Sequence, residues 1–163
     1  MPIQTAEIHD AHPDEVAVCD AQFRSFGRRL AFAGPCATLK VHEDHRRAKA
    51  LISEPGQGRV LVVDAGGSLR IGIMGDTMAE LAARNGWAGA VIYGAIRDSA
   101  AIDALDFGVK ALGTTARRSN IDMGGAVGLP VEFGGVVFQP GAWVYADRDA
   151  VIVSPRRLAD AEG

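Results

Sequence analysis

The sequence predicts an α/β domain with a parallel βαβ centre and an antiparallel β tail, and three observations carry that reading. Two uncharged apolar runs, residues 60–63 and 90–96, suit strands buried on both faces, as parallel sheets demand. Helical spacing follows at 77–84 and at 99–105, and a strand–helix–strand–helix–strand order implies parallel pairing through right-handed crossovers. The last third changes character: four short apolar runs are separated by Gly-Gly, Pro-Gly and Asp-rich turns, which favour antiparallel pairing.

Taken in order, residues 1–30 are mixed and helical in part, with apolar positions at loose helical spacing over 20–26. A short strand is expected over 38–41 and a helix over 43–53, stopped by Pro55-Gly56. The strand at 60–64 ends in the turn Ala65-Gly66-Gly67. The helix at 77–84 has Thr77 and Glu80 as a capping box, Met78, Leu81 and Ala82 as an apolar stripe, and Asn85-Gly86 as its stop. A second buried strand spans 90–96, a short helix 99–105 and a third strand 108–112; the tail strands are 131–133, 136–138, 143–145 and 151–153.

Composition narrows the function classes. The 163 residues show no repeat, low-complexity tract or linker, so one domain over 1–163 is expected. Seventeen Lys and Arg against twenty Asp and Glu give a net charge of −3, and the Arg-Arg pairs are scattered, which argues against a direct nucleic-acid partner. The uncharged stretches 85–96 and 133–146 fall short of the ~20 residues of a membrane span. Residues 1–7 lack the basic start of a secretory leader, and Cys19 and Cys36 form neither a metal spacing nor a disulfide framework. The expected location is therefore the cytoplasm, with no membrane partner.

Ligands of open parallel sheets collect beyond the carboxyl ends of the strands. Two such places stand out. In the stretch 64–78, Gly66, Gly67, Gly72 and Gly75 let backbone approach a ligand, and the start of the 77–84 helix offers free N–H groups to an anion. Arg97-Asp98 directly follows the strand at 90–96; the Arg can grip a carboxylate in bidentate fashion and the Asp can hold a divalent cation. Strands 60–64 and 90–96 are expected to be neighbours, so the two places converge on a site suited to a 2-oxo acid. The competing reading has Asp98 capping the helix at Ser99 and Arg97 pairing with a surface acid. No Gly-x-Gly-x-x-Gly or phosphate-binding loop occurs. His42-Glu43-Asp44-His45 misses the zinc-protease spacing and reads as a polar turn, His9 and His12 read as surface residues, and nothing marks Lys40, Lys49 or Lys110 as desolvated.

Longer runs then become informative. The segments 58–70, Asn85-Gly86-Trp87-Ala88-Gly89, Tyr93-Gly94-Ala95-Ile96-Arg97-Asp98, Ala111-Leu112-Gly113-Thr114, Phe133-Gly134-Gly135-Val136 and Tyr145-Ala146-Asp147 resemble the RraA-like family, in order, over roughly 20–155. That family contains regulators that bind and inhibit ribonuclease E. It also contains class II, metal-dependent aldolases that cleave 4-hydroxy-4-methyl-2-oxoglutarate to two pyruvates, with oxaloacetate decarboxylation as a side activity. The aldolases carry an Asp, twenty intervening residues, then Arg-Asp, and here Asp76 and Arg97-Asp98 match.

The resemblance implies roles for these residues. Arg97 binds the pyruvyl carboxylate, Asp98 holds Mg²⁺ or Mn²⁺, and the backbone N–H groups of Gly75, Asp76, Thr77 and Met78 orient the substrate. Asp76 is expected near a metal-ordered water serving as base. It also implies a swivelling β/β/α fold and homotrimers, singly or as a dimer of trimers, with sites at subunit interfaces. Departures from the usual pattern are Ala100 and Ala101 where an acid is frequent, Phe26-Gly27-Arg28-Arg29 for Phe-Gly-Gly-Arg, Ala116 for Pro, and His42-Glu43-Asp44-His45 for Phe-Glu-Asp-Asn. The leading expectation is a pyruvyl aldolase and oxaloacetate decarboxylase. The alternatives are a non-catalytic regulator binding ribonuclease E, or another 2-oxo or hydroxy acid lyase.

Overall fold

Along 60–63 successive side chains meet two different cores, which is why the run carries no polar residue. In the computed structural model, which describes residues 3–158, Leu61 and Val63 pack beneath three helices, whereas Val60 and Val62 pack against a β-hairpin. A strand exposes alternate residues to opposite faces, so a strand covered on both sides must be apolar at every position.

The elements run α1 (Thr5–Ala11), β1 (Ala17–Val18), β2 (Arg24–Phe26), β3 (Phe32–Lys40), α2 (Arg46–Ile52), β4 (Val60–Asp64), β5 (Gly72–Met74), α3 (Asp76–Arg84), β6 (Gly89–Ile96), α4 (Ser99–Asp103) and β7 (Val109–Thr114). There follow β8 (Ala126–Val127), β9 (Val131–Phe133), β10 (Val136–Phe138), β11 (Trp143–Ala146) and β12 (Val151–Ser154). The main sheet has the order β1-β12-β11-β3-β4-β6-β7-β2, with β5 alongside β6 and β8 alongside β3. Its centre, β3-β4-β6-β7, is parallel; β11, β12 and β1 extend one edge antiparallel and β2 closes the other. The expected adjacency of the 60–64 and 90–96 strands is met by β4 and β6.

Ala48, Leu51 and Ile52 of α2, Met78, Ala79 and Ala82 of α3, and Ile102 of α4 cover one face of this sheet. The β9–β10 hairpin covers the other face, with Phe133 stacked between Tyr93 and Phe138 at ring-centroid distances of 4.8 Å on both sides. Its two-residue turn, Gly134-Gly135, has φ of +59° and +78°, the geometry that a tight hairpin demands and glycine supplies. The result is the β/β/α layering that the resemblance implies.

Several local expectations are corrected. Residues 24–26 are not helical: they form β2, antiparallel to β7, and only Phe26 of the three is buried. The strand expected at 38–41 is the end of the nine-residue β3, which runs through Gly34 and Pro35. A Cβ on Gly34 would lie 2.1 Å from the Gly58 carbonyl oxygen, so the glycine that reads as a breaker is a requirement of close strand approach. The helix expected from 43 starts at Arg46, because Glu43 sits at φ +48° and Asp44-His45 complete the turn. Helix 99–105 ends at Asp103, and the strand at 108–112 is displaced to Val109–Thr114. The capping box at Thr77 does not form. Gly75 is the N-cap of α3 without a side-chain cap, and the Thr77 N–H instead meets Asp76 Oδ1 at 2.8 Å. Among the described residues no helix is long and apolar enough to cross a membrane.

Candidate active site at the carboxyl ends of β5 and β6

Parallel strands β5 and β6 end side by side, with Met74 paired to Ile96, and the chain leaves both toward helices. The Arg97 N–H donates to the Met74 carbonyl at 2.9 Å, continuing the pairing one residue past β6. The Arg97 stem lies across Gly72, where a Cβ would come within 2.2 Å of Arg97 Cγ. Gly72 therefore makes the bed in which the arginine rests. Arg97 is half-buried; its Nε is fully buried and takes no hydrogen bond, and the side chain makes no ion pair among the described residues. Leaving such a donor unsatisfied costs about 1–3 kcal/mol, which a ligand oxygen would recover. The expected alternative of a surface acid partner is not what the structure holds.

Asp98 departs from the simple capping role as well. It occupies the N-cap position of α4, yet its side chain makes no cap hydrogen bond there. Its backbone is left-handed, φ +56°, an uncommon conformation for a residue with a Cβ. That geometry accompanies a carboxylate turned back onto the start of α3, where Oδ2 accepts the Asp76 N–H at 3.2 Å. A Cβ on Gly75 would lie 2.7 Å from the same oxygen. Strain of this kind collects where function over-determines the backbone.

Gly72, Gly75, Asp76, Thr77, Met78, Arg97 and Asp98 line one pocket of about 250 Å³, whereas Gly66 and Gly67, also expected to let backbone approach a ligand, do not line it. Of the four backbone N–H groups expected to orient substrate, two are already engaged: Asp76 with Asp98, and Thr77 with its neighbour's carboxylate. Among the described residues the Gly75 and Met78 N–H groups have no hydrogen-bond partner and are free to meet a ligand.

His45, Lys49 and Arg118 line the same pocket, a placement the sequence did not reveal. The polar turn at 42–45 is real and has a buried anchor. Asp44 is fully buried and accepts the Met123 N–H at 2.8 Å, the Arg46 N–H and Nη1 at 3.1 Å each, and the Ser119 hydroxyl at 3.4 Å. Burial opposes its ionisation, but the N–H groups of Arg46 and Met123 and the Arg46 and His45 charges prevail and hold its pKa below the usual value. Ser119 Oγ in turn meets His45 Nδ1. Burial, reinforced by the Arg118 charge, pushes the His45 pKa down, so the ring is neutral at pH 7. No linear motif marks this placement, because α2 and the segment after β7 meet only in the fold.

The donor set fits a hard divalent cation. Asp98 uses Oδ2 for the Asp76 N–H, and its other oxygen takes no hydrogen bond among the described residues. No group of three or more ligand side chains gathers among the described residues. One carboxylate beside a polar pocket suits Mg²⁺, which keeps several waters and accepts substrate oxygens, better than a closed cage.

Known proteins resemble the chain over nearly its whole length. The family model RraA-like, described as Aldolase/RraA, matches residues 5–153. A protein of Laribacter hongkongensis (strain HLHK9) named "Putative 4-hydroxy-4-methyl-2-oxoglutarate aldolase" is 49% identical over 158 residues, covering 97% of this chain and 99% of the relative. A structure from Geobacillus kaustophilus HTA426, described as S-adenosylmethionine: 2-dimethylmenaquinone methyltransferase, is 42% identical with a TM-score of 0.94, covering 99% of this chain and 100% of that one. The RNA-processing inhibitor RraA from Thermus thermophilis is 35% identical with a TM-score of 0.93, covering 100% and 99%.

Proposed function

The chain belongs to the RraA-like family, and from that premise we propose that it is a divalent-metal-dependent aldolase cleaving 4-hydroxy-4-methyl-2-oxoglutarate to two pyruvates, with oxaloacetate decarboxylation as a second activity. The observation that carries this reading is Arg97, whose buried Nε lacks a partner, beside an Asp98 carboxylate turned onto the start of α3. Arg97 receives the C1 carboxylate of the substrate in bidentate fashion, and the free N–H groups of Gly75 and Met78 orient it. Asp98 would hold the Mg²⁺ or Mn²⁺ ion, which supplies Lewis acidity to the 2-oxo group when bound.

In the cleavage the C4 hydroxyl loses its proton, the C3–C4 bond breaks, and its electrons pass into a pyruvate enolate that is then protonated at C3. Asp76, through an ordered water, receives the hydroxyl proton. In oxaloacetate the bond to the departing carboxylate breaks instead, releasing CO₂ and leaving the same enolate. The fixed guanidinium of Arg97 stabilises that developing charge without reorganising, which is how a preorganised site lowers the barrier. Two reactions thus share one site because they share one intermediate. The protein is further proposed to be a cytoplasmic homotrimer, or a dimer of trimers, with sites at subunit interfaces; sedimentation analysis reads that directly.

The test is pyruvate release from both acids with Mg²⁺ or Mn²⁺ and again with EDTA. Metal-dependent release, abolished in Arg97→Ala and in Asp98→Ala with the fold intact, is the expected result. No release from either acid by folded, metal-supplemented protein overturns the reading, and full activity in either variant removes the site assignment. A second reading draws on the Thermus relative, described as an RNA-processing inhibitor: a non-catalytic regulator that binds ribonuclease E. Tight, metal-independent capture of that ribonuclease by a catalytically silent protein would favour it.

A further inference from the structure

We propose that His45 is a proton-transfer group of this pocket, whose Nε2 takes up the proton released by the substrate hydroxyl and delivers it to C3 of the pyruvate enolate. The inference rests on the aldolase reading and supplies the donor for its last step. When the hydroxyl O–H bond breaks, its proton passes to the ordered water and Asp76, and the enolate then needs one proton to become pyruvate. An imidazole is a stronger base than a carboxylate, so the proton moves on to His45 and an N–H bond forms at Nε2. That bond breaks as the C3–H bond forms, and the ring ends the cycle neutral.

The fold sets the ring's tautomer for that task. His45 lines the pocket together with Asp76, Arg97 and Asp98, and its Nδ1 meets Ser119 Oγ. The direction of that hydrogen bond follows from the other partners of the hydroxyl. Asp44 Oδ1 stands 3.4 Å from Ser119 Oγ, and an ionised carboxylate can only accept. Ser119 has one hydroxyl proton, and Asp44 takes it. The Oγ lone pairs are left to receive the His45 backbone N–H, at 3.4 Å, and the ring. Nδ1 must therefore carry the single proton of a neutral imidazole, which puts the lone pair on Nε2. Ser119 and Asp44 are both buried, and Nε2 makes no hydrogen bond among the described residues.

The surroundings keep that lone pair available. Burial and the charges of Arg118, Arg46 and Lys49 disfavour the imidazolium, and Asp44 alone of the neighbouring charges favours it. Asp76, Asp98 and Arg97 complete the charged lining of the pocket. An imidazole that resists protonation is a free base at neutral pH and, once loaded, a stronger acid than an ordinary histidine, which suits delivery to carbon. An asparagine, usual at this position in the RraA-like pattern, can hydrogen-bond to a hydroxyl but cannot carry a proton, so the device belongs to this chain.

Two measurements test it. Nitrogen nuclear magnetic resonance of the His45 ring, in the protein without metal or substrate, is expected to show Nδ1 protonated and Nε2 bare at neutral pH, and Ser119→Ala is expected to lose that fixed tautomer. A bare Nδ1 in the wild type overturns the relay and leaves the aldolase reading standing. The second measurement is exchange of the pyruvate methyl protons with deuterated water in the presence of Mg²⁺, which removes and returns a proton at the same C3. His45→Asn is expected to slow exchange about 100-fold, at the low end of general acid–base effects, with KM for pyruvate little changed because Arg97 still holds the carboxylate. The wild-type rate should fall as pH drops below 6.5 and the ring protonates, and the variant should lose that acid limb. Exchange within threefold of wild type in His45→Asn, or an unchanged acid limb, overturns the role. Absence of both exchange and pyruvate release in the wild type overturns the aldolase reading itself, and the relay with it.

Discussion

Replacing Gly72 by alanine isolates the contribution of Arg97 placement from that of Arg97 chemistry. The backbone of Gly72 is held on two sides, by pairing with Ala95 in β6 and by its N–H donating to the Arg117 carbonyl at 3.0 Å. Its φ is not left-handed, so alanine is conformationally acceptable there. The added Cβ would lie 2.2 Å from Arg97 Cγ and 2.8 Å from Cδ, whereas ordinary contact begins at 3.4 Å. The strand cannot yield easily, so the arginine stem must retreat by roughly 1.2 Å, the difference between those distances. A misplacement of about 1 Å at a positioning group can cost on the order of 100-fold in rate. The expected outcome is a fall of about that size in kcat/KM for pyruvate release, read in a coupled lactate dehydrogenase assay, with the thermal midpoint little changed. Gly113→Ala is the control, since a Cβ there meets only the tip of Leu69 at 3.4 Å, and its activity should match wild type. A Gly72→Ala protein within threefold of wild type would refute the claim that the stem must lie on Gly72 for Arg97 to act.

The remaining predictions concern the turn behind the pocket. Asp44→Ala leaves the Met123 N–H, the Ser119 hydroxyl and the Arg46 groups without their buried acceptor, and should destabilise the fold by about 3 kcal/mol in urea unfolding; a loss below about 1 kcal/mol would show that the carboxylate anchors nothing. The pKa of His45 is lowered in the folded protein, so the unfolded chain takes up a proton first on acidification. Its stabilising contribution is whole above the ordinary value of 6.5 and is lost as pH falls from there toward the lower folded value. Asp44, also lowered, contributes in the same direction at more acidic pH. Nuclear magnetic resonance titration of the His45 ring checks that direction.

The centre of the fold was legible because its signals are local. Residues 60–63 and 90–96 must be apolar at every position when both faces are covered, and a run of that kind declares itself without knowledge of its neighbours. Asp76 and Arg97-Asp98 were legible through a family spacing and through the rule that ligands gather at the carboxyl ends of parallel strands. The tail hairpin announced itself by Gly134-Gly135.

What stayed hidden depends on partners distant in the chain. Strand β3 runs back through Gly34 and Pro35 because Gly58 presses against Gly34, a contact between residues far apart in the chain that no local pattern shows. The three-residue β5 is too short to show a period, yet its register with β6 sets Met74 beside Ile96 and so brings Gly72 under Arg97. Local rules left Asp98 open between a cation ligand and a cap for the helix at Ser99; tertiary structure placed its carboxylate on the start of a different helix. His45, Lys49 and Arg118 share no motif, and only the docking of α2 against the segment after β7 puts them in one pocket. The sequence by itself thus determined which residues must be buried and which strand ends could hold chemistry, since periodicity and composition act over a few residues. The tertiary structure decided which charges face one another, because electrostatic complementarity is a property of distances in space, and those were set by sheet register and helix docking.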